Sequence, residues 1–219
     1  MIRSIMVENK NYPTYDYEAR LMEDRKIFCI AGVDEAGRGP GAGPVVAGAV
    51  YIPPDRIKGL SGRLRDSKKM TAKQRAQMYG IIAVTCSFGV GIVDNHIIDA
   101  INILQATKRA MAKALAALQT HLGSAQRIDY VLIDGNMRME NIKLPCESIV
   151  KGDNKSLSIA AGAVIAKVTR DRIMVRLHDE YPRYGWKYNK GYLSKAHMQA
   201  IKDFGTTPYH RMSYRRVGR

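Results

Sequence analysis

Asp34 and Glu35 stand side by side at the end of the apolar run Ile30-Ala31-Gly32-Val33. Two adjacent carboxylates at the end of a buried strand repel each other and are costly to desolvate, a conflict that a divalent cation removes. Asp134 repeats the pattern: it closes Val131-Leu132-Ile133 and is followed by Gly135. Asp153, in Lys151-Gly152-Asp153, follows another short apolar run. Acids at the C-terminal ends of different strands line one edge of a sheet with parallel neighbours. Four carboxylates from three segments make an all-oxygen donor set that suits two Mg²⁺ or Mn²⁺ ions. Two such ions, about 4 Å apart, activate a water and stabilise the leaving oxygen of a phosphodiester. Spacing alone does not separate these four from Asp66, Asp94, Asp129 and Asp171, which also lie near element boundaries. Nor does it exclude Asp34 and Glu35 as solvated loop acids. Asp171, flanked by Arg170 and Arg172 inside a helical stretch, reads as an ion-pair or supporting residue.

The acids are followed by Gly37-Arg38-Gly39-Pro40-Gly41-Ala42-Gly43-Pro44. Glycine lets a backbone approach a phosphate or sugar without a Cβ clash. No Gly-Lys-Ser/Thr closes the loop, so it is not a Walker loop, and Pro44 with a β-branched run argues against a dinucleotide fold. Arg38 between two glycines favours a nucleic-acid backbone contact over a plain turn. Asp66-Ser67-Lys68-Lys69 precedes a helix start, where Ser67 and Lys68 can meet a phosphate or simply form a solvated basic loop. Aromatic, basic and glycine residues interleave from Tyr181 to Tyr192. They suit stacking on bases or sugars, although Trp186 and most of the tyrosines read better as the core of a small packed element.

The positioning elements follow from periodicity. Strands are expected over Ile27–Asp34 and Val45–Ile52, pairing as an antiparallel hairpin across the glycine loop, then over Thr85–Val93, Tyr130–Asp134 and Ser148–Lys151. Thr71 with Gln74 forms a capping box for a helix to about Ile82. Ile101, Leu104, Met111, Leu115 and Leu118 fall at helical spacing and predict a helix over Ile97–His121, and a long helix is expected over Ser156–Glu180. Ser194 caps a short helix to Phe204, and Pro208–Arg219 reads as a basic tail. The expected organisation is an N-terminal extension (1–26), a mixed-sheet domain flanked by helices (27–180) and a small basic helical C-terminal element (181–219).

Composition narrows the class. With 219 residues, 46% apolar and 25% charged, the chain is ordinary globular usage and not a disordered, collagenous or disulfide-stapled sequence. No run of 18 apolar residues predicts a membrane span. The first twenty residues lack the apolar core of a signal peptide, and three scattered cysteines suit a reducing cytoplasm. Of the net charge of +15, +10 lies in residues 151–219. A basic surface of that size attracts polyanions, nucleic acid foremost.

Taken in order, these blocks resemble bacterial ribonuclease HII. The resemblance runs over roughly residues 27–217. It rests on Asp34-Glu35-Ala36-Gly37-Arg38-Gly39-Pro40, Asp66-Ser67-Lys68-Lys69, Asp134-Gly135-Asn136 and Lys151-Gly152-Asp153. It continues through Ile165-Ala166-Lys167-Val168-Thr169-Arg170-Asp171 and Asn189-Lys190-Gly191-Tyr192. The resemblance implies the ribonuclease H fold, a mixed five-stranded sheet flanked by helices. It implies cleavage of the RNA strand of RNA/DNA hybrids and incision 5′ to ribonucleotides embedded in duplex DNA, leaving 3′-hydroxyl and 5′-phosphate ends. By the same resemblance Asp34, Glu35, Asp134 and Asp153 hold two Mn²⁺ or Mg²⁺ ions. Gly37, Arg38 and Gly39 then read the ribonucleotide and its 2′-hydroxyl through the backbone, and Tyr192 senses the RNA–DNA junction. The chain departs from the family pattern at Gly162-Ala163-Val164-Ile165, which lacks a helix serine. Residues 1–26 lie outside the match. A non-catalytic hybrid binder and a nucleotide-binding transferase are the competing classes. A pure binder gains nothing from clustered acids facing phosphates, and a transferase lacks its phosphate-lysine motif. A monomer is the default state.

Overall fold

The computed structural model describes residues 12–140 and 142–218; residues 1–11 of the N-terminal extension, Asn141 and Arg219 of the basic tail lie outside the described residues. Five strands form one mixed sheet: β1 (Ile30–Ala36), β2 (Val45–Tyr51), β3 (Ser87–Val93), β4 (Tyr130–Asp134) and β5 (Cys146–Ile149), in the order β3-β2-β1-β4-β5. β1 and β2 form the expected antiparallel hairpin and β3 extends it antiparallel. β4 runs parallel to β1, and β5 parallel to β4. This is the mixed five-stranded sheet that the family resemblance implies.

Side chains alternate across the sheet. Ile30, Val50, Ile52 and Leu132 enter one core, under α1 (Asp16–Arg25), α3 (Ala72–Thr85) and α5 (Leu157–Glu180). Ala31, Val33, Ala49, Val131 and Ile133 enter the other, under α4 (Asn95–Leu122). A short helix α2 (Ile57–Leu60) follows β2. A third, aromatic cluster holds Trp186, Tyr184 and Met174, where α6 (Trp186–Asn189) and α7 (Lys195–Phe204) pack on the end of α5.

Helix starts follow their caps. Thr71 and Gln74 make the reciprocal capping box, while Asp94, Ser156 and Ser194 accept from the N–H three residues on in α4, α5 and α7. Three expectations shift. The strand expected over Ser148–Lys151 is Cys146–Ile149, because Lys151 adopts a left-handed φ of 56° and turns the chain into a tight turn at Gly152–Asn154. The helix over 97–121 is broken at Asn102, with φ 65°, whose side chain accepts from the N–H of Leu104 and Gln105 and restarts it. The N-terminal lead contains a helix that periodicity did not announce, α1, with Tyr15, Ala19, Leu21 and Met22 buried in the core.

The missing signal in α1 is Glu18, a charged residue at a core position. It is fully buried. Its Oε1 accepts from Ser156 Oγ (2.7 Å), Ser158 N (3.0 Å) and Ser158 Oγ (2.5 Å), and its Oε2 has no hydrogen-bond partner. Beside it, Thr14 N donates to Lys155 O and Leu157 N to Thr14 O. Residues 14–18 therefore clasp the start of α5 immediately after the turn that carries Asp153.

At Gly32 and Gly48 the sheet meets α5 with no side chain between. A Cβ at Gly32 would stand 2.1 Å from the carbonyl carbon of Ser158, and one at Gly48 2.5 Å from the carbonyl oxygen of Gly162. Gly32→Ala is therefore expected to cost about 1–3 kcal/mol through overpacking, read as a Tm loss of roughly 2–4 °C per kcal/mol in a thermal melt. Gly80 in α3 has nothing within 4 Å of a built Cβ, so Gly80→Ala is expected to raise stability by about 0.5–1 kcal/mol in the same assay.

Glu18 supplies a pH test. Burial raises its carboxyl above the ordinary 4.5, against hydrogen bonds from Ser158 and Ser156 that lower it. A raised acid keeps its proton in the folded state after the unfolded chain has lost it, so its contribution to stability falls as pH rises above 4.5. Glu18→Gln keeps the acceptor without the charge. Urea melts from pH 4 to 8 should show a smaller decline with pH for the variant than for the parent; parallel curves would remove Glu18 as the titrating group.

Candidate active site

Val33 of β1 pairs with Ile133 of β4 in parallel register, so the next residues, Asp34 and Asp134, emerge together from neighbouring strand ends. β5 ends opposite Asp134 at Ile149, and the turn after it returns Asp153 to the same edge. Backbone groups fix the acids. Glu35 N donates to Asp34 Oδ1 (2.6 Å) and Gly152 N to Asp134 Oδ1 (2.6 Å), while Asn154 Nδ2 donates to Asp153 Oδ1 (2.8 Å). Asp34 and Asp153 are each 7% exposed.

The four carboxylates act on one another. Burial, then Glu35 and Asp134, hold the Asp34 carboxyl well above the usual carboxylate range, with Asp153 adding to the effect. Burial also raises Glu35, with Asp134 reinforcing it against Arg38 and Lys68. Asp153 is raised by burial, Asp134 and Asp66. Lys68 faces the same cluster: burial lowers its ammonium, but Asp153, Asp34, Asp66 and Asp134 outweigh that and hold it above its ordinary value. Such crowded, desolvated acids lack positive charge, and their all-oxygen donor set fits hard divalent ions. Among the described residues no three His, Cys, Asp or Glu side chains are drawn into one coordination sphere. Ion capture thus requires carboxylates to turn inward, and Glu35 and Asp134 are only half-buried.

The rival acids have structural partners. Asp94 caps α4, Asp129 accepts from the N–H of Phe28 and Cys29, and Asp66 accepts from Lys68 N. Asp171 pairs with Lys167 (2.8 Å) and Arg75 (3.9 Å). Arg75 in turn donates to the carbonyls of Ser67 and Met70, holding the Ser67–Lys68 loop. Ser67 is buried and Lys68 exposed.

The glycine loop joins β1 to β2 beside the acids. Gly37 has φ 99°, and a Cβ there would meet Arg170 Nε at 2.0 Å. Arg38 is exposed at the loop tip and reaches Glu35 at 3.5 Å. A Cβ on Gly39 would stand 3.4 Å from Tyr192 Cε1, so the Tyr192 ring borders the loop. Tyr192 is 53% exposed, whereas Trp186 and Tyr184 are buried, which separates the available ring from the packed ones. Beneath Tyr192, His197 Nδ1 lies 2.9 Å from its carbonyl, and His197 Nε2 meets Trp186 Nε1 and His210 Nε2, each at 3.1 Å. Burial lowers His197, and burial with His197 nearby lowers His210 to about 4. The pair is an uncharged hydrogen-bonded floor. The structure thus gathers Asp34, Glu35, Asp134 and Asp153, faces them with Lys68, and sets Gly37, Arg38, Gly39 and Tyr192 alongside.

Two buried arginines at this site were not singled out as functional from the sequence. Arg170 is 1% and Arg211 0% exposed. The Pro208–Arg219 segment, expected as a basic tail, therefore contributes a side chain to the interior. A basic residue in a basic sequence carries no sign that it points inward, although Arg170 interrupts an otherwise apolar helix face. No helix among the described residues is long and apolar enough to cross a membrane.

Comparison with known proteins bears on the family and the fold. A family model described as Ribonuclease HII matches residues 31–217. Ribonuclease HII of Magnetococcus marinus is 47% identical over 214 residues, covering 96% of this chain and 97% of the relative. That of Rickettsia bellii is 48% identical over 187 residues, covering 85% and 90%. The crystal structure of ribonuclease H2 from Pyrococcus horikoshii superposes with a TM-score of 0.70 at 25% identity, covering 87% of this chain and 95% of that one. The chain belongs to the ribonuclease HII family and is a ribonuclease H, a hydrolase that acts on nucleic acid.

Proposed function

We propose that this ribonuclease H cleaves the RNA strand of RNA/DNA hybrids and also incises 5′ to single ribonucleotides embedded in duplex DNA, leaving 3′-hydroxyl and 5′-phosphate ends. The observation that carries the reading is the juxtaposition of four acids with a glycine loop and one exposed tyrosine. In this reading Asp34, Glu35, Asp134 and Asp153 hold two Mg²⁺ or Mn²⁺ ions. When bound, those ions supply a nucleophilic water and charge for the leaving oxygen. The N–H groups of Glu35, Gly152 and Asp153 fix one oxygen of Asp34 and of Asp134, leaving the other available as a ligand. Lys68 supplies positive charge for the phosphate beside the acids, and Ser67 shapes its loop.

Selecting one ribonucleotide in DNA requires reading a 2′-hydroxyl, the only group that differs at that sugar. Gly37, Arg38 and Gly39 present backbone at close range, and the Tyr192 face suits the neighbouring deoxyribose, with its hydroxyl free for the sugar-phosphate. The basic surface holds the duplex by neutralising phosphates. The reading includes a monomer working in the cytoplasm, whose cysteines Cys29, Cys86 and Cys146 remain free.

The test is cleavage of a duplex with one embedded ribonucleotide and of a uniform hybrid, each with Mg²⁺, Mn²⁺ or excess EDTA. EDTA and Asp134→Asn should each abolish cleavage, while Asp134→Asn leaves hybrid affinity within a few-fold. Cleavage that survives EDTA would overturn the metal assignment. Tyr192→Ala should lose cleavage at the single ribonucleotide at least about tenfold more than on the hybrid, roughly 1.4 kcal/mol in the transition state. Equal losses with a lowered Tm would instead make Tyr192 a packing residue.

A further inference from the structure

We infer that Arg211 and Arg170 are positioning residues for the glycine loop: they turn its carbonyls inward and so present its N–H groups to the ribonucleotide. This rests on the proposal that the loop reads ribose through its backbone. Arg211 Nε donates to Gly43 O (2.9 Å), Nη1 to Arg38 O (3.0 Å) and Nη2 to Gly37 O (2.7 Å). Arg170 takes the rest: Nε donates to Pro44 O (2.9 Å), Nη2 to Ala42 O (3.1 Å) and Nη1 to Lys190 O (2.9 Å). Two guanidiniums, one from the long helix and one from the C-terminal segment, thus hold five carbonyls of the segment 37–44.

Buried charges are ordinarily paired with an opposite charge. Among the described residues neither arginine has a carboxylate within ion-pair distance. Their charge is met by carbonyl dipoles and, at Arg211, by the Tyr214 hydroxyl, and five fixed N–H donors per guanidinium are what such an arrangement requires. In a trans peptide the C=O of one residue opposes the N–H of the next, so the Gly37 and Arg38 carbonyls held by Arg211 turn the N–H of Arg38 and Gly39 away from it. No hydrogen bond among the described residues uses the N–H of Gly37, Arg38 or Gly39. Tyr192 borders the loop at Gly39, where a Cβ would stand 3.4 Å from its ring.

Tyr214 ties the brace to the outer edge of the site. Its hydroxyl accepts from Arg211 Nη1 (2.9 Å) and donates to Arg38 O (2.5 Å). Gly39, Tyr192 and Tyr214 line one open depression with Arg215 and Arg216. The C-terminal segment therefore serves substrate choice, not only charge. A lysine cannot replace Arg211: its ammonium is a point charge that does not span acceptors on both limbs of the loop.

The experiment measures, in EDTA, the Kd of an all-DNA duplex and of the same duplex with one ribonucleotide, alongside Tm. The full-length parent should prefer the ribonucleotide. Arg211→Lys should reduce that preference at least about tenfold while affinity for the all-DNA duplex stays within a few-fold. Tyr214→Phe removes one hydroxyl at a half-exposed position and should reduce the preference roughly threefold with Tm unchanged; it decides the matter if Arg211→Lys does not fold. Gly39→Ala, whose Cβ would stand 3.4 Å from Tyr192 Cε1 and meet neither arginine, separates the two ideas. If Gly39→Ala loses the preference and both Arg211→Lys and Tyr214→Phe retain it, the brace is wrong and the loop reading stands. If the parent shows no preference, or Gly39→Ala retains it, the loop reading fails and the brace falls with it.

Discussion

Helix α5 touches the sheet backbone to backbone, and the placement of the site depends on that contact. Gly162 sits where a Cβ would stand 2.9 Å from Gly48 O and 3.1 Å from Gly32 O. A helix this close to β1 and β2 has its register along them set by hard contact and not by adaptable side chains. Two turns on, Arg170 and Asp171 reach in opposite directions. Arg170 goes to the glycine loop between the same two strands, and Asp171 to Arg75, which holds the Ser67–Lys68 loop. One rigid element thus spaces both loops from the acids at the strand ends. On the other face the sheet does the same with α4, where Gly89 and Gly91 admit the carbonyls of Ala114 and Ala110.

Charge is arranged in two opposed strata. Carboxylates crowd at the strand ends, where Glu35, Asp134 and Asp153 raise Asp34, while two guanidiniums lie beneath the adjacent loop among carbonyls and the Tyr214 hydroxyl. Each group alone is expensive to desolvate. In the proposed reading the acids gain relief from the cations they hold, so their cost is bound to function. The arginines are satisfied inside the protein and their cost is met in the fold. Burial with Arg211 nearby lowers Arg170 to about 10, which leaves it charged at physiological pH.

Much of this was legible in the sequence because it rests on local patterns. Apolar runs ending in Asp34 and Asp134 marked strands and the candidate site together, and the Thr71–Gln74 box and the caps at Ser156 and Ser194 marked helix starts. The short β5 was displaced by two residues because the Lys151 turn, not hydrophobicity, ends it. α1 was hidden because Glu18 interrupts its apolar face and finds its partners 138 and 140 residues away. Arg170 and Arg211 were hidden for the same reason: what makes an arginine interior is a set of distant carbonyls, and nothing adjacent in the chain records it. The four acids were recognisable as a set only through the order of several motifs, since Asp66, Asp94, Asp129 and Asp171 share their local setting.

The clasp and the brace also fix when the molecule can become whole. Glu18 must wait for Ser158, 140 residues later, and the carbonyl of Gly37 for Arg211, 174 residues later. Synthesis delivers the N-terminal strands first, and contacts between remote segments close late. Asp34 and Glu35 therefore leave the ribosome long before the turn of Asp153 can be clasped or the loop beside them can take its shape.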